Sequence, residues 1–162
     1  MKSQITIKKI QDLLIKGVQT KYVDDDTSRR MWWASLEVIQ KDFLSQNYKH
    51  GGIWVASPLP AFNEKKFLNQ LHGWLWSPEG FPYFQNENAG FLPVNNSEKI
   101  KKDFDLVSNY KVLNLCQEDG YEPFLMIITP NFQCVLSIVG EKDKKILLMK
   151  CDEESLKLSI EL

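Results

Sequence analysis

The side chains that could carry reactive chemistry in this chain are few: the cysteines Cys116, Cys134 and Cys151 and the histidines His50 and His72. A zinc site needs about four converging ligands, usually with one closely spaced pair, and no two of these five residues make such a pair. Covalent catalysis needs a Ser or Cys beside a base, and neither histidine adjoins a Gly-x-Ser-x-Gly elbow. The loops that hold nucleotide phosphates on a helix N-terminus, Gly-x-Gly-x-x-Gly and Gly-x-x-x-x-Gly-Lys-Ser/Thr, do not occur. Glu118-Asp119 and Glu153-Glu154 fall in turn-like stretches and read as solvated charge, not as general acid and base. The sequence therefore assigns no catalytic residue, no metal ligand and no cofactor. All three cysteines lie in apolar stretches and read as reduced, inert core thiols of a cytosolic protein. A small enzyme using Cys116, Cys134 or His72 is the alternative from the catalytic class.

The positive signal is aromatic. Trp54, His72, Trp74, Trp76, Tyr83 and Phe84 could wall a concave site, because ligand pockets are mostly apolar with a few placed polar groups. Of these, Trp54, His72, Trp74, Trp76 and Tyr83 are the candidate ligand-binding residues, with His72 and Tyr83 supplying the polar contacts. The competing reading is that the same rings fill the gap between helices and sheet. Both stay open at this level.

Several elements must position these residues. Ile7, Ile10, Leu14 and Val18 recur at helical spacing, so an amphipathic helix is expected over Ser3 to Val18, with Ser3 as its cap. The acidic run Asp24-Asp25-Asp26 with Thr27 suits a helix start, where negative charge and a capping oxygen are favoured. A second helix is expected from about Ser28 to Ser45, with Trp32, Leu36, Ile39 and Phe43 as its stripe and Met31 and Trp33 widening it. Ile53 to Ala56 reads as a short buried strand. Asn63 can cap a helix carrying Phe67, Leu68 and Leu71. The segment Leu71 to Phe84 mixes aromatics with turn residues and is expected to be irregular. Ser97 opens a third helix with Ile100, Phe104 and Val107 buried. Lys111 to Cys116, Phe124 to Thr129, Phe132 to Val139 and Lys145 to Cys151 read as strands. Their short separators predict an antiparallel meander. Alternation over Leu156 to Leu162 suggests a fifth strand, with a helix start after Asp152 as the other reading. The expected fold is a single α+β domain over 1–162, with N-terminal helices and then a mainly antiparallel five- or six-stranded sheet carrying helices on one face.

Composition bounds the partners. A chain of 162 residues can bury roughly 70% of its unfolded surface, enough for one core without staples. Twenty Lys and Arg against twenty-one Asp and Glu leave a net charge of −1, which disfavours a phosphate-tracking surface and so nucleic acid as main partner. The longest apolar run, Phe124 to Ile128, is far below the ~20 residues of a membrane span, and the N-terminus lacks a secretory signal. A cytoplasmic location without membrane contact is the expectation. The apolar ending Leu158 to Leu162 reads as a cut inside a longer protein, of which this is the N-terminal part.

Three stretches together, Ser35-Leu36-Glu37-Val38-Ile39-Gln40, Ile53-Trp54-Val55-Ala56-Ser57-Pro58-Leu59-Pro60 and Glu122 to Phe132, resemble the N-terminal sensory domains of soluble two-component histidine kinases in cyanobacteria, of the kind called DICT. The likeness spans roughly Gln40 to Leu162 and rests on apolar patterning and a strand-turn-strand phrase. It implies a signal-input domain feeding a GAF or kinase module, within a homodimer, and carries no ligand residues across. The expected function is thus non-catalytic. A small ligand or partner would bias the packing of the N-terminal helices on the sheet, and with it a downstream output. A stand-alone assembly or chromophore-handling protein with an aromatic pocket is the second reading.

Overall fold

The structure, a computed structural model, describes residues 7–18, 21–45, 51–58, 71–78, 110–115 and 122–160. The first helix, α1 (Ile7–Leu14), buries Ile7, Ile10, Gln11 and Leu14, the stripe its spacing predicts. Helix α2 (Asp25–Val38) starts three residues earlier than expected because Asp24 is its cap: the carboxylate accepts from Thr27 N–H at 2.6 Å. The helix continues as one π-helical stretch, Ile39–Leu44. The wider turn rotates the face it presents, so the stripe runs Trp32, Leu36, Ile39 and then Leu44 instead of Phe43. Phe43 is left part-exposed, stacked on Phe132 with ring centroids 4.5 Å apart. Met31 is exposed and does not widen the stripe, whereas Trp33 packs against it.

Six strands follow: β1 (Ile53–Ser57), β2 (His72–Pro78), β3 (Tyr110–Leu115), β4 (Phe124–Ile128), β5 (Gln133–Glu141) and β6 (Lys144–Lys150). They form one mixed sheet in the order β3-β2-β1-β4-β5-β6. The expected meander holds for β4, β5 and β6, each antiparallel to the next, and β1 joins antiparallel to β4. Two expectations are corrected. The aromatic segment contains the regular strand β2, which pairs parallel to β1 on one side and to β3 on the other. Strand β3 therefore stands at the far edge and not in the meander. The last described element is α3 (Glu153–Ile160), a helix where a fifth strand is one reading of the alternation.

Tight turns fix the meander. At the β4–β5 turn Thr129 and Phe132 exchange backbone and hydroxyl hydrogen bonds of 2.7–3.0 Å around Pro130 and Asn131. At the β5–β6 turn Lys142 and Asp143 form the loop, with Gly140 (φ 117°) and Asp143 (φ 57°) both left-handed. A Cβ at Gly140 would collide with the Lys144 carbonyl, so glycine is required there.

Helices cover both faces of the sheet, not one. Face-by-face alternation sends Trp54, Ala56, Leu75, Leu125, Ile127, Cys134, Leu136 and Ile138 toward α2 and its π extension. The intervening Phe124, Met126, Val135, Val139, Ile146 and Leu148 meet Ile7, Ile10 and Leu14 of α1 and Leu156 of α3. Each buried Val, Leu, Ile, Phe or Met side chain among them contributes about 1.5–3 kcal/mol of transfer free energy. The two apolar layers hold the helices to the sheet. Gln11 crosses the second layer as a polar pin, its amide donating to Ser137 Oγ at 2.8 Å, and that hydroxyl donates on to the Pro123 carbonyl. The expected helices from Asn63 and Ser97, the Ser3 cap, and His50, Tyr83, Phe84, Cys116 and Glu118-Asp119 lie outside the described residues. Among the described residues no helix is long and apolar enough to cross a membrane.

Candidate functional site

Where α2 begins, the start of the helix, the residue preceding Pro123 and the β5–β6 hairpin converge on one lysine. Lys145 has a side chain only 9% exposed, and a cationic group taken out of water must be matched by anions and acceptors. Glu122 supplies an ion pair, Asp25 a second oxygen at 3.9 Å, and the Gly140 carbonyl accepts at 2.8 Å. The backbone of the same residue is clamped from outside. Val23 and Lys145 exchange N–H to C=O bonds of 2.9 and 2.8 Å, which pins the entry into α2 to β6. Asp25 also accepts from the Asp143 N–H at 3.3 Å, tying the left-handed turn to the first residue of the helix.

A cleft of about 300 Å³ opens beside this arrangement. Its walls are Asp25, Ser28 and Arg29 of α2, Glu122, and Ile138, Lys142 and Lys145 of the hairpin strands and turn. Six of these seven side chains are polar or charged, three cationic and two anionic. Ser28 is turned back on its own helix, donating to the Asp25 carbonyl at 2.8 Å. Arg29 lies beside Asp26 at 4.0 Å. Such a lining suits a small, strongly polar molecule carrying charge of both signs, whose anionic end meets Arg29 and Lys142 and whose cationic end meets the two carboxylates. Among the described residues no three His, Cys, Asp or Glu side chains converge as a metal-binding set.

The four candidates among the described residues are not brought together on one face. Trp54 is wholly buried in the α2 layer, its indole lying over Gly73 of the neighbouring strand. His72, Trp74 and Trp76 alternate with Gly73 and Leu75 along β2, so they point to the other face. There Trp76 packs with Val55 and Ile128 against the α1 layer, Trp74 is half-buried, and His72 is exposed at the strand start. One pocket cannot hold Trp54 together with Trp74 and Trp76, because the sheet itself stands between them. Trp54 is a core residue. Tyr83 lies outside the described residues.

With the geometry in place, comparison with known families matches residues 8–162 to the one described as Domain of unknown function (DUF8628). The chain belongs to that family. No curated protein and no solved structure matches it. In this DUF8628 domain the cleft residues escaped the sequence reading for a definite reason. Asp25 is legible only as part of a helix-capping acidic run, Glu122 only as the first residue of the stretch Glu122 to Phe132, and Lys145 only as the first residue of a strand. Their meeting depends on the order β4-β5-β6 and on α2 lying over that end of the sheet. The local signal was Lys145 itself, a charge where β6 begins its inward-facing positions, in line with Leu147.

Proposed function

We propose that this DUF8628 domain is a non-catalytic binding module that takes a small zwitterionic ligand in the Lys145 cleft and passes on the event through the seating of α2. The observation that carries the reading is that the cleft wall is shared between the first turn of α2, the Glu122 segment and the β5–β6 hairpin. A ligand bridging Arg29 to the hairpin favours one placement of the helix on the sheet, and only such differential contact can shift a conformational balance. A signal-input role follows from this coupling and from the resemblance to kinase sensory domains. The output would be a GAF or kinase module, and the setting the cytoplasm. A full-length reading frame with kinase boxes supports that part. One with no output module removes signalling and leaves binding.

The test is a thermal-shift series with glycine, glutamate, lysine and acetate as probes, on the unaltered chain and on Arg29→Gln and Lys142→Gln. Both changed residues are exposed, so the fold tolerates them. The expected result is a raised Tm with at least one amino-acid probe, lost in both variants. A flat response to all four probes overturns the reading.

A further inference from the structure

Strands β5 and β6 are in register from Glu141 opposite Lys144 to Val135 opposite Lys150. One more step of the same register sets Cys134 opposite Cys151. Directly opposed residues of an antiparallel pair have Cβ atoms about 4.5–5.5 Å apart, near the span of a disulfide. The two thiols are near enough that Cys151, after burial, helps to push the Cys134 thiol up. Their surroundings differ: Cys134 is buried in the α2 layer, whereas Cys151 is exposed in the short link to α3, against the expectation that every cysteine is a core residue.

We propose that Cys134 and Cys151 form a thiol pair that closes to an intrachain disulfide by exchange with a small disulfide of the glutathione type. The exposed Cys151 gives its proton to solvent, and its thiolate attacks one sulfur of the reagent. The reagent S–S bond breaks, one thiolate leaves, and a mixed disulfide remains on Cys151. Cys134 then loses its proton to water and attacks Cys151 Sγ, which expels the second reagent thiolate. Two protein S–H bonds and one reagent S–S bond are replaced by one protein S–S bond and two reagent thiols. The two electrons lost by the protein reduce the reagent. Burial pushes the Cys134 thiol up, which keeps it protonated and makes the second step the slower one. The closed pair staples the start of β5 to the segment that leads into α3.

The full chain, with all three cysteines, is incubated with oxidised glutathione at neutral pH, then mapped by intact mass, thiol titration and peptide analysis. Expected are the loss of two titratable thiols, a mass decrease of two hydrogens, and a cross-linked peptide containing Cys134 and Cys151 that dithiothreitol separates. Cys151→Ser, an exposed change, is expected to leave Cys134 reduced under the same treatment. Cys134→Ala is expected to halt at a glutathione adduct on Cys151. A stable adduct on Cys151 in the unaltered chain, a link through Cys116, a disulfide-joined dimer, or no reaction each overturns the proposal.

Discussion

The indole of Trp54 fills the space directly above Gly73 on the adjoining parallel strand: a Cβ built on that glycine would overlap ring atoms Cε2 and Cζ2 and lie 2.8 Å from Nε1. The largest fully buried side chain among the described residues is thus accommodated by the absence of a side chain on its neighbour. Gly73→Ala is expected to destabilise the domain by about 1–3 kcal/mol, the range for overpacking a close-packed interior. Urea unfolding measures it. Trp54→Leu in the same chain should recover part of that loss, so the double-mutant cycle gives a clear coupling. Additive losses would mean that the two residues do not share the space.

Lys145 is matched by carboxylates that keep some contact with water, Asp25 being 27% and Glu122 38% exposed. Lys145→Met therefore leaves two acids that can rehydrate, and the expected cost is about 1–3 kcal/mol, less than for a fully enclosed pair. Glu122→Gln should cost less, because Asp25 and the Gly140 carbonyl remain as partners. Denaturation midpoints of the two variants at moderate and high salt check the order.

The Asp24 carboxyl sits below its ordinary value of 3.8, held down first by the Thr27 backbone N–H and then by the Thr27 hydroxyl. A carboxyl whose folded pKa is lowered adds stability above its unfolded value, and that contribution is lost as pH falls through the folded value. The start of α2 should thus loosen only below pH 3.8. Asp24→Asn, which keeps a capping oxygen but does not titrate, should flatten this part of the acid profile when helicity is followed by circular dichroism.

Ser137→Ala removes both the acceptor used by Gln11 and the donor to the Pro123 carbonyl in a buried layer. A loss of about 0.5–1.5 kcal/mol is expected, because the Gln11 amide keeps the Ile138 carbonyl at 3.4 Å and the Pro123 carbonyl keeps the Ile138 N–H at 3.0 Å. Gln11→Met keeps the shape and leaves the serine its Pro123 bond, so the smaller loss should fall on that side. Reversal of this order would show that Gln11, not Ser137, holds α1 in place.

Trp74→Phe and Trp76→Phe separate the two candidate faces. A ligand response that arises in the Lys145 cleft is expected to survive both changes, because those rings lie on the opposite side of the sheet. Loss of the thermal shift in either variant would move the ligand to the aromatic face.

The periodic parts of this fold could be read from sequence because burial enforces them locally. Ile7, Ile10 and Leu14 must share one face of a helix whatever lies beneath, and the apolar run Phe124 to Ile128 must be covered on both sides. Parallel pairing of β2 was hidden for the opposite reason. Its partners Trp54 and Leu113 come from distant parts of the chain, and Gly73, which looks like a breaker, is there for the Trp54 ring. Trp54 parts from the other aromatic candidates on a count of one residue. Trp54 pairs with Gly73 and not with Trp74, and a single step of register sends a side chain to the other face. The π-helical turn at Ile39–Leu44 had the same effect on a smaller scale, exchanging Phe43 for Leu44 in the core.

The pairing of Val23 with Lys145 also bears on how copies of this chain meet. An outer strand with open N–H and C=O groups invites a strand from another molecule to add to it. At the start of β6 those groups are already used by the chain's own Val23, and Lys144 and Lys150 place like charge at the two ends of the strand. Addition of a strand from another molecule is thereby opposed at the start of β6, where the chain's own segment already takes the place of a neighbour.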